Sequence, residues 1–256
     1  MSFLSELLDS TRARVAETRA LVSEEVLEQR VAAAEPPRGF AAALRTPRTA
    51  IIAEIKRATP SRGPLDLDLD PRRLAAAYRD GGAAAISVLT EPDRFKGSLE
   101  DLDAAREAGL PVLRKDFIVD PWQVFEARAC GADAVLLIVR INGDEFETLI
   151  KTTASLGMDA LVEVYDEKDL ARAAAAGASL IGVNHRDLET FEVDPGRTRR
   201  LSPLLPRDAT LIALSGVTTR AEVEDLAAAG AHAVLVGESL VTAGDPAAKL
   251  RELRGA

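Results

Sequence analysis

Glu54 and Lys56 stand two residues apart in a stretch that is otherwise apolar, Ile51, Ile52, Ala53 and Ile55. In an extended chain alternate side chains share a face, so the carboxylate and the ammonium point the same way. Charge does not enter cheaply into a strand buried on both faces. The run from Thr59 through Pro60, Ser61, Arg62 and Gly63 to Pro64 then ends the strand, since proline lacks the ladder donor and glycine favours a turn. An acid and a base therefore sit at the C-terminal end of a strand, where they form either an ordinary ion pair or a proton-transfer pair.

The same kind of end recurs along the chain. Apolar runs finish in Lys115 and Asp116, in Glu163, in Asn184 and Arg186, in Ser215-Gly216 and in Gly237-Glu238. Salt-bridged rim residues would account for one or two of these. A ring of Glu, Lys, Lys, Glu and Asn suits general acid and base chemistry, because neighbouring charges and partial burial move ammonium and carboxylate pKa values toward neutrality. Ser215-Gly216 and Gly237-Glu238 are small-residue turns whose backbone N–H groups can approach an anion, and Lys56 can add charge. A phosphorylated small molecule is the preferred ligand class. Phe95, Phe117, Leu136 and Leu188 offer an apolar wall for an aromatic portion of it. His185 follows Asn184 and so faces the other way, which gives it no catalytic role. Cys130, at a helix end, reads as packing.

These ends need a scaffold that gathers them. From Ile51 onward one unit repeats: an Ala-rich helix, a glycine near its C-terminus, then a strand rich in Val, Ile and Leu. Gly81-Gly82, Gly109, Gly131, Gly157, Gly177 and Gly230 suit the left-handed positions that follow helices, while the strand over 210–214 lacks such a glycine before it. The pattern predicts strands starting at Ile51 and over 84–89, 111–114, 134–139, 160–164, 180–183, 210–214 and 233–236. It predicts helices over 71–79, 99–107, 121–129, 143–155, 167–175, 221–228 and 246–253. About eight strands is the number that closes a (β/α)8 TIM barrel, whose chemistry is assembled at the strand C-termini. A doubly wound sheet shares the alternation, but no Gly-x-Gly-x-x-Gly follows the first strand. Upstream, apolar residues from Phe3 to Val31 recur at helical spacing among charges, and Pro36-Pro37-Arg38-Gly39 precedes a helical turn from Phe40 to Leu44. The expected organisation is an N-terminal helical extension over 1–48, a packing arm or a lid, and one barrel domain over 49–256.

A chain of 256 residues, 47% of them apolar, can bury a full core. Its net charge of -9 argues against a nucleic-acid or anionic-membrane partner, though a local basic patch can still hold a small anion. One cysteine and two histidines exclude an internal disulfide and leave too few ligands for most Cys- or His-based metal sites. No apolar run reaches spanning length and the N-terminus lacks the apolar block of a secretory signal, so a cytoplasmic protein is expected.

The stretches from Glu54 to Ser61 and from Leu113 to Ile118 carry the most specific pattern. With Leu89-Thr-Glu91, Phe95, Gly97-Ser98, Leu136 to Ile138, Val162 to Val164, Gly182 to Leu188, Ser215-Gly216 and Val236-Gly237, the chain resembles the indole-3-glycerol-phosphate synthase family over nearly its whole length. The resemblance implies a cofactor-free carbon–carbon lyase of tryptophan biosynthesis. It would convert 1-(2-carboxyphenylamino)-1-deoxyribulose 5-phosphate to indole-3-glycerol phosphate, releasing carbon dioxide and water. It also implies roles: Lys115 as the general acid that protonates the substrate carbonyl, Glu163 and Lys56 assisting the later loss of hydroxide, Glu54 accepting or positioning a proton, and Asn184 orienting the substrate. Lys56, Ser61, Arg186, Ser215, Gly216, Gly237 and Glu238 would bind substrate and its phosphate, Glu238 through its backbone N–H, while Phe95, Phe117 and Leu136 hold the anthranilate ring. A monomer or weak homodimer is expected. Thr59 stands where the family usually has Ser and keeps the hydroxyl; Leu214 stands where most members carry Glu, which removes a carboxylate from the mouth. Two other readings stay open: a Schiff-base aldolase using Lys115 or Lys56, and a catalytically weakened phosphate-binding barrel acting as a partner subunit, which Leu214 alone supports.

Overall fold

A computed structural model describes residues 2–255. Eight parallel strands close into a barrel: β1 (Ala50–Ile55), β2 (Ala85–Leu89), β3 (Val112–Lys115), β4 (Ala134–Ile138), β5 (Asp159–Val164), β6 (Leu180–Asn184), β7 (Thr210–Leu214) and β8 (Ala233–Val236). Closure is made by β1, which pairs with β2 from Ile52↔Ala85 and with β8 from Ala50↔Ala233. Between the strands lie α4 (Pro71–Gly81), α5 (Leu99–Arg106), α6 (Pro121–Ala129), α7 (Phe146–Ser155), α8 (Glu167–Ala175), α9 (Arg197–Leu201) and α10 (Arg220–Ala228), with α11 (Glu238–Val241) and α12 (Pro246–Arg254) after β8. No helix among the described residues is long and apolar enough to cross a membrane.

Strand alternation splits the apolar residues into two cores. Ile51, Ile55, Val88, Val135 and Leu137 face the helices, whereas Ile52, Leu113, Leu136, Leu161 and Leu235 fill the barrel. The inward set turns polar one layer higher, at Glu54, Lys115, Glu163 and Asn184, because those are the next inward positions of their strands. Of the glycines expected to follow helices, Gly82, Gly109, Gly131, Gly157, Gly177 and Gly230 have positive φ, whereas Gly81 is the last residue of α4. N-caps at Asp70, Ser98, Asp120, Asp166, Thr219 and Asp245 start the helices by accepting backbone N–H groups. The pattern missed short pieces. Gly143–Glu145 is a 3-10 turn ahead of α7, α9 and α11 are too short for a periodic signal, and Ala58–Thr59 pairs with Gly63–Pro64 in a small hairpin.

The N-terminal segment forms α1 (Phe3–Leu21), α2 (Glu24–Ala33) and α3 (Phe40–Ala43). Phe3 and Leu7 of α1 belong to the inner apolar cluster, and Phe40 and Leu44 join the same cluster fully buried. Arg14 of α1 lies 3.4 Å from Asp116 and 3.9 Å from Glu91. Glu91, 1% exposed, organises the loop after β2 by accepting the backbone N–H groups of Asp93, Arg94 and Phe95. Gly97 closes that loop against the end of β2: a Cβ there would lie 1.9 Å from the Leu89 carbonyl oxygen and 2.7 Å from its carbon. Gly97→Ala must therefore move backbone, and urea unfolding should show a loss of about 1–3 kcal/mol, the size of other overpacking substitutions.

Candidate active site

Every residue singled out above for binding or catalysis lines one cavity of about 280 Å³ at the C-terminal ends of the strands. Its electrostatic centre is Glu54. Lys56 Nζ lies 2.9 Å from Glu54 Oε1, and Lys115 Nζ lies 3.5 Å from Oε2. The carboxylate is 2% exposed. Burial pushes its pKa up, but Lys56 and then Lys115 outweigh that and hold it below the ordinary value. From behind, the Tyr78 phenol donates to the Glu54 backbone carbonyl at 2.9 Å, and burial together with the Glu54 charge keeps that phenol protonated. One buried anion is thus shared by two cations that face the cavity.

Lys115 is bracketed by groups that point elsewhere. Asp116, read from the sequence as a mouth charge, lines the same cavity, but its carboxylate bonds to the outer layer. It accepts from Thr90 Oγ1 at 2.7 Å, from Arg114 Nη2 at 3.1 Å and from the Phe117 backbone N–H at 2.8 Å. Arg114, 3% exposed, also reaches Glu126 at 2.9 Å. Burial alone would lower its pKa, but Asp116 and Glu126 raise it above the ordinary value. The strand end that carries Lys115 is therefore pinned on its outer side.

Across the mouth, Glu163 Oε1 accepts from Asn184 Nδ2 at 3.0 Å and from the Tyr165 hydroxyl. His185 faces outward as alternation demands: Nδ1 lies 3.1 Å from the Ser215 carbonyl and Nε2 lies 2.7 Å from Thr198 Oγ1. Burial lowers its pKa, so a neutral ring donates to Ser215 and accepts from Thr198. Leu214 is 1% exposed and belongs to the inner apolar cluster. It packs where Gly182 leaves room, since a Cβ at Gly182 would lie 2.8 Å from Leu214 Cδ1.

Ser215 and Gly216 both have positive φ, 70° and 80°. The backbone N–H groups of Gly216, Gly237 and Glu238 donate to no other backbone group among the described residues, which leaves them available to an anion. Gly237 is demanded by the ion pair as well, because a Cβ there would lie 2.5 Å from Glu54 Oε1 and 3.1 Å from Lys56 Nζ. The Glu238 carboxylate pairs with Arg62 across the rim. Thr59 Oγ1 accepts from the Arg62 backbone N–H at 3.1 Å and lies 3.3 Å from Ser61 Oγ, so the hydroxyl at position 59 shapes the turn. The rings of Phe95 and Phe117 lie 6.3 Å apart on one wall, and Arg186 donates to the Phe191 carbonyl at 3.2 Å on another. No cluster of three or more His, Cys, Asp or Glu side chains among the described residues could hold a metal ion.

Sequence reasoning did not assign Phe3, Arg62, Phe191 or Tyr165 to the site. Phe3, Arg62 and Phe191 line the cavity from α1 and from loops, where no period marks direction. Tyr165 follows Glu163 by two residues, so the alternation that placed Glu54 with Lys56 could have found it.

The profile of the indole-3-glycerol phosphate synthase family matches residues 4–253. A relative from Mycolicibacterium smegmatis named indole-3-glycerol phosphate synthase is 53% identical over 252 residues, which cover 98% of this chain and 93% of that one. One of the same name from Rhodococcus jostii is 52% identical over 255 residues, covering 99% and 95%. Among solved structures, a thiamine phosphate pyrophosphorylase from Pyrococcus furiosus aligns with a TM-score of 0.61 at 17% identity, over 81% of this chain and 94% of that one. The N-acetylmannosamine-6-phosphate 2-epimerase from Clostridium perfringens aligns at 0.59 and 19% identity, over 77% and 89%. At such identity the structural likeness concerns the fold alone.

Glu54→Gln leaves both lysines without their shared anion, and at pH 7 should cost about 2–4 kcal/mol in urea unfolding. The native pKa of Glu54 is depressed, so its contribution is fully present above the ordinary value of 4.5 and is lost as pH falls through the native value. The stability gap between wild type and Glu54→Gln should therefore narrow on acidification below 4.5. A gap that stays constant to pH ~3 would show that Glu54 is not held ionised by the lysines.

Proposed function

We propose that this chain, which belongs to the indole-3-glycerol phosphate synthase family, carries out the reaction of that name on 1-(2-carboxyphenylamino)-1-deoxyribulose 5-phosphate. The observation that carries the reading is the Glu54 carboxylate shared by Lys56 and Lys115 in a cavity that also holds Glu163. The anthranilate ring rests on Phe95, Phe117 and Leu136, and Arg186 faces its carboxylate. The phosphate takes Lys56 and the free amides at Gly216, Gly237 and Glu238, with Ser61 and Ser215 at the edge of that subsite.

In the first step the ring carbon that bears the carboxylate attacks the ketone carbon, and Lys115 gives its proton to the ketone oxygen as the carbon–carbon bond forms. An amine held on a buried carboxylate is aimed before the substrate arrives, which is the preorganisation that proton donation in a transition state requires. The carboxylate then leaves as carbon dioxide, and its bonding pair restores the aromatic ring. Dehydration follows. The new hydroxyl departs with one proton while the methylene next to nitrogen loses another, with Glu163 and Lys56 serving the two transfers and Asn184 holding the substrate. Glu54 holds both lysines at the mouth of the cavity. One proton is consumed overall, because an anionic carboxylate leaves as neutral carbon dioxide. Relatives that share 52–53% identity and bear this name favour neither the aldolase nor the weakened-subunit reading.

Incubation with the substrate should produce indole absorbance without added metal or nucleotide; absence of product from folded protein would overturn the assignment. Lys115→Ala should lower kcat about a hundredfold, the usual scale of general-acid assistance, with KM far less affected. Leu214→Glu places a carboxylate in the apolar slot beside Gly182. It should lose about 1–3 kcal/mol in urea unfolding and gain no activity, since the side chain there packs among apolar neighbours at Leu161 and Gly182. A faster Leu214→Glu enzyme would show that the mouth tolerates a further carboxylate.

A further inference from the structure

Tyr165 is a buried polar group beside Glu163 and Asn184 that the reaction above leaves without a task. It follows β5 directly and is 3% exposed. Its hydroxyl donates to Glu163 Oε1 and accepts from Asn184 Nδ2 at 3.0 Å, while the same Nδ2 donates to Oε1 at 3.0 Å. Phenol, amide and carboxylate therefore close a three-membered ring of bonds. Burial, and then the Glu163 charge, raises the phenol's pKa well above its ordinary value, so it stays a donor.

The phenol is itself clamped. The Arg140 guanidinium lies 4.4 Å from the ring centroid and that of Arg197 lies 5.5 Å away. Arg140 is fixed in turn by Asp166 at 2.6 Å and Asp169 at 2.8 Å, and Asp169 also accepts the Tyr165 backbone N–H at 3.0 Å. Arg197 donates to the Asn184 carbonyl as well, which ties together the two residues that hold Glu163. A phenylalanine would fill this slot equally well. What the hydroxyl adds is its bond to a carboxylate in the cavity.

Both bonds fall on Oε1. Among the described residues Oε2 accepts none, and Glu163 lines the cavity. The last torsion of a glutamate is broad, so a carboxylate with no donors rotates and offers either oxygen. We propose that Tyr165 is a positioning residue, fixing the Glu163 carboxylate through Oε1 so that Oε2 alone meets the substrate. The proposal rests on the lyase reading, and adds that the base at this position is pre-oriented by a phenol outside the cavity rather than by the substrate.

Tyr165→Phe keeps the ring and its two guanidinium contacts and removes only the donor. In the full chain its kcat should fall about tenfold, the cost of losing one hydrogen bond to a charged group, with KM within about twofold of wild type. Its circular dichroism should match wild type. In a Glu163→Gln background the same change should cost no further rate, because a residue that acts only through the carboxylate has nothing left to position. An unchanged kcat in Tyr165→Phe, or an equal loss with and without Glu163→Gln, would overturn the proposal. Wild-type turnover is the control that separates the two readings: no product at all sinks the lyase assignment, whereas normal wild-type turnover matched by Tyr165→Phe sinks only the positioning role.

Discussion

One buried carboxylate sets the terms for the rest of the molecule. Glu54 sits at an inward position of β1 where every lower inward neighbour is apolar, and an isolated anion there would neutralise rather than remain charged. It persists because Lys56 from its own strand end and Lys115 from β3 converge on its two oxygens. The convergence depends on barrel closure, since β1 and β3 flank β2 and only a fixed register brings their ends to one side. A slip of one residue in either strand would turn one partner toward the helices. The polar mouth and the apolar barrel are thus one constraint: the register that buries Ile52 and Leu113 is the register that pairs Glu54 with Lys115.

That layer also explains the small residues around it. Gly237 lies so close to Glu54 Oε1 that no side chain fits, and Gly182 leaves the space that Leu161 and Leu214 occupy. Leu214 takes an inward position on β7 beside Asn184 of β6 and contributes packing rather than charge. The carboxylate expected there by family resemblance has no counterpart in the cavity's polar ring, which is already balanced around Glu54 and Glu163. Its absence is a change of filling at one inward position, and the lysines do not depend on it.

The barrel was legible because one unit recurs: an Ala-rich helix, a strand rich in Val, Ile and Leu, and at six helix ends a glycine whose φ is positive in the folded chain. The polar strand ends were legible for the same reason, as departures from apolar runs. Less was legible where direction is set by tertiary partners. Asp116 lies next to Lys115, and only the presence of Arg114, Thr90 and Arg14 shows that its carboxylate belongs to the outer layer. Arg62 and Phe191 come from loops shaped by local hydrogen bonds, with no period to read. Phe3 reaches the cavity from the start of α1, and its sequence pattern says only that one face of that helix is apolar.

The two polar systems at the strand ends differ in how completely they are satisfied. In the outer one, Asp116 accepts from Thr90, Arg114 and its own neighbour's N–H, and Arg114 spends its guanidinium on Asp116, Glu126 and the Gln123 carbonyl. Such a closed network has one low-energy arrangement and resists change. In the inner one, among the described residues, Glu54 Oε2 has only Lys115 at 3.5 Å, and Ser87 Oγ beside it on β2 is buried without a partner. Buried polar atoms left short of partners mark a place where water or a ligand completes the count. A bonded outer network beside inner groups that face the cavity is what a reactive mouth requires. The first holds the strand ends still, so that Glu54, Lys56 and Lys115 keep their geometry toward whatever enters the cavity.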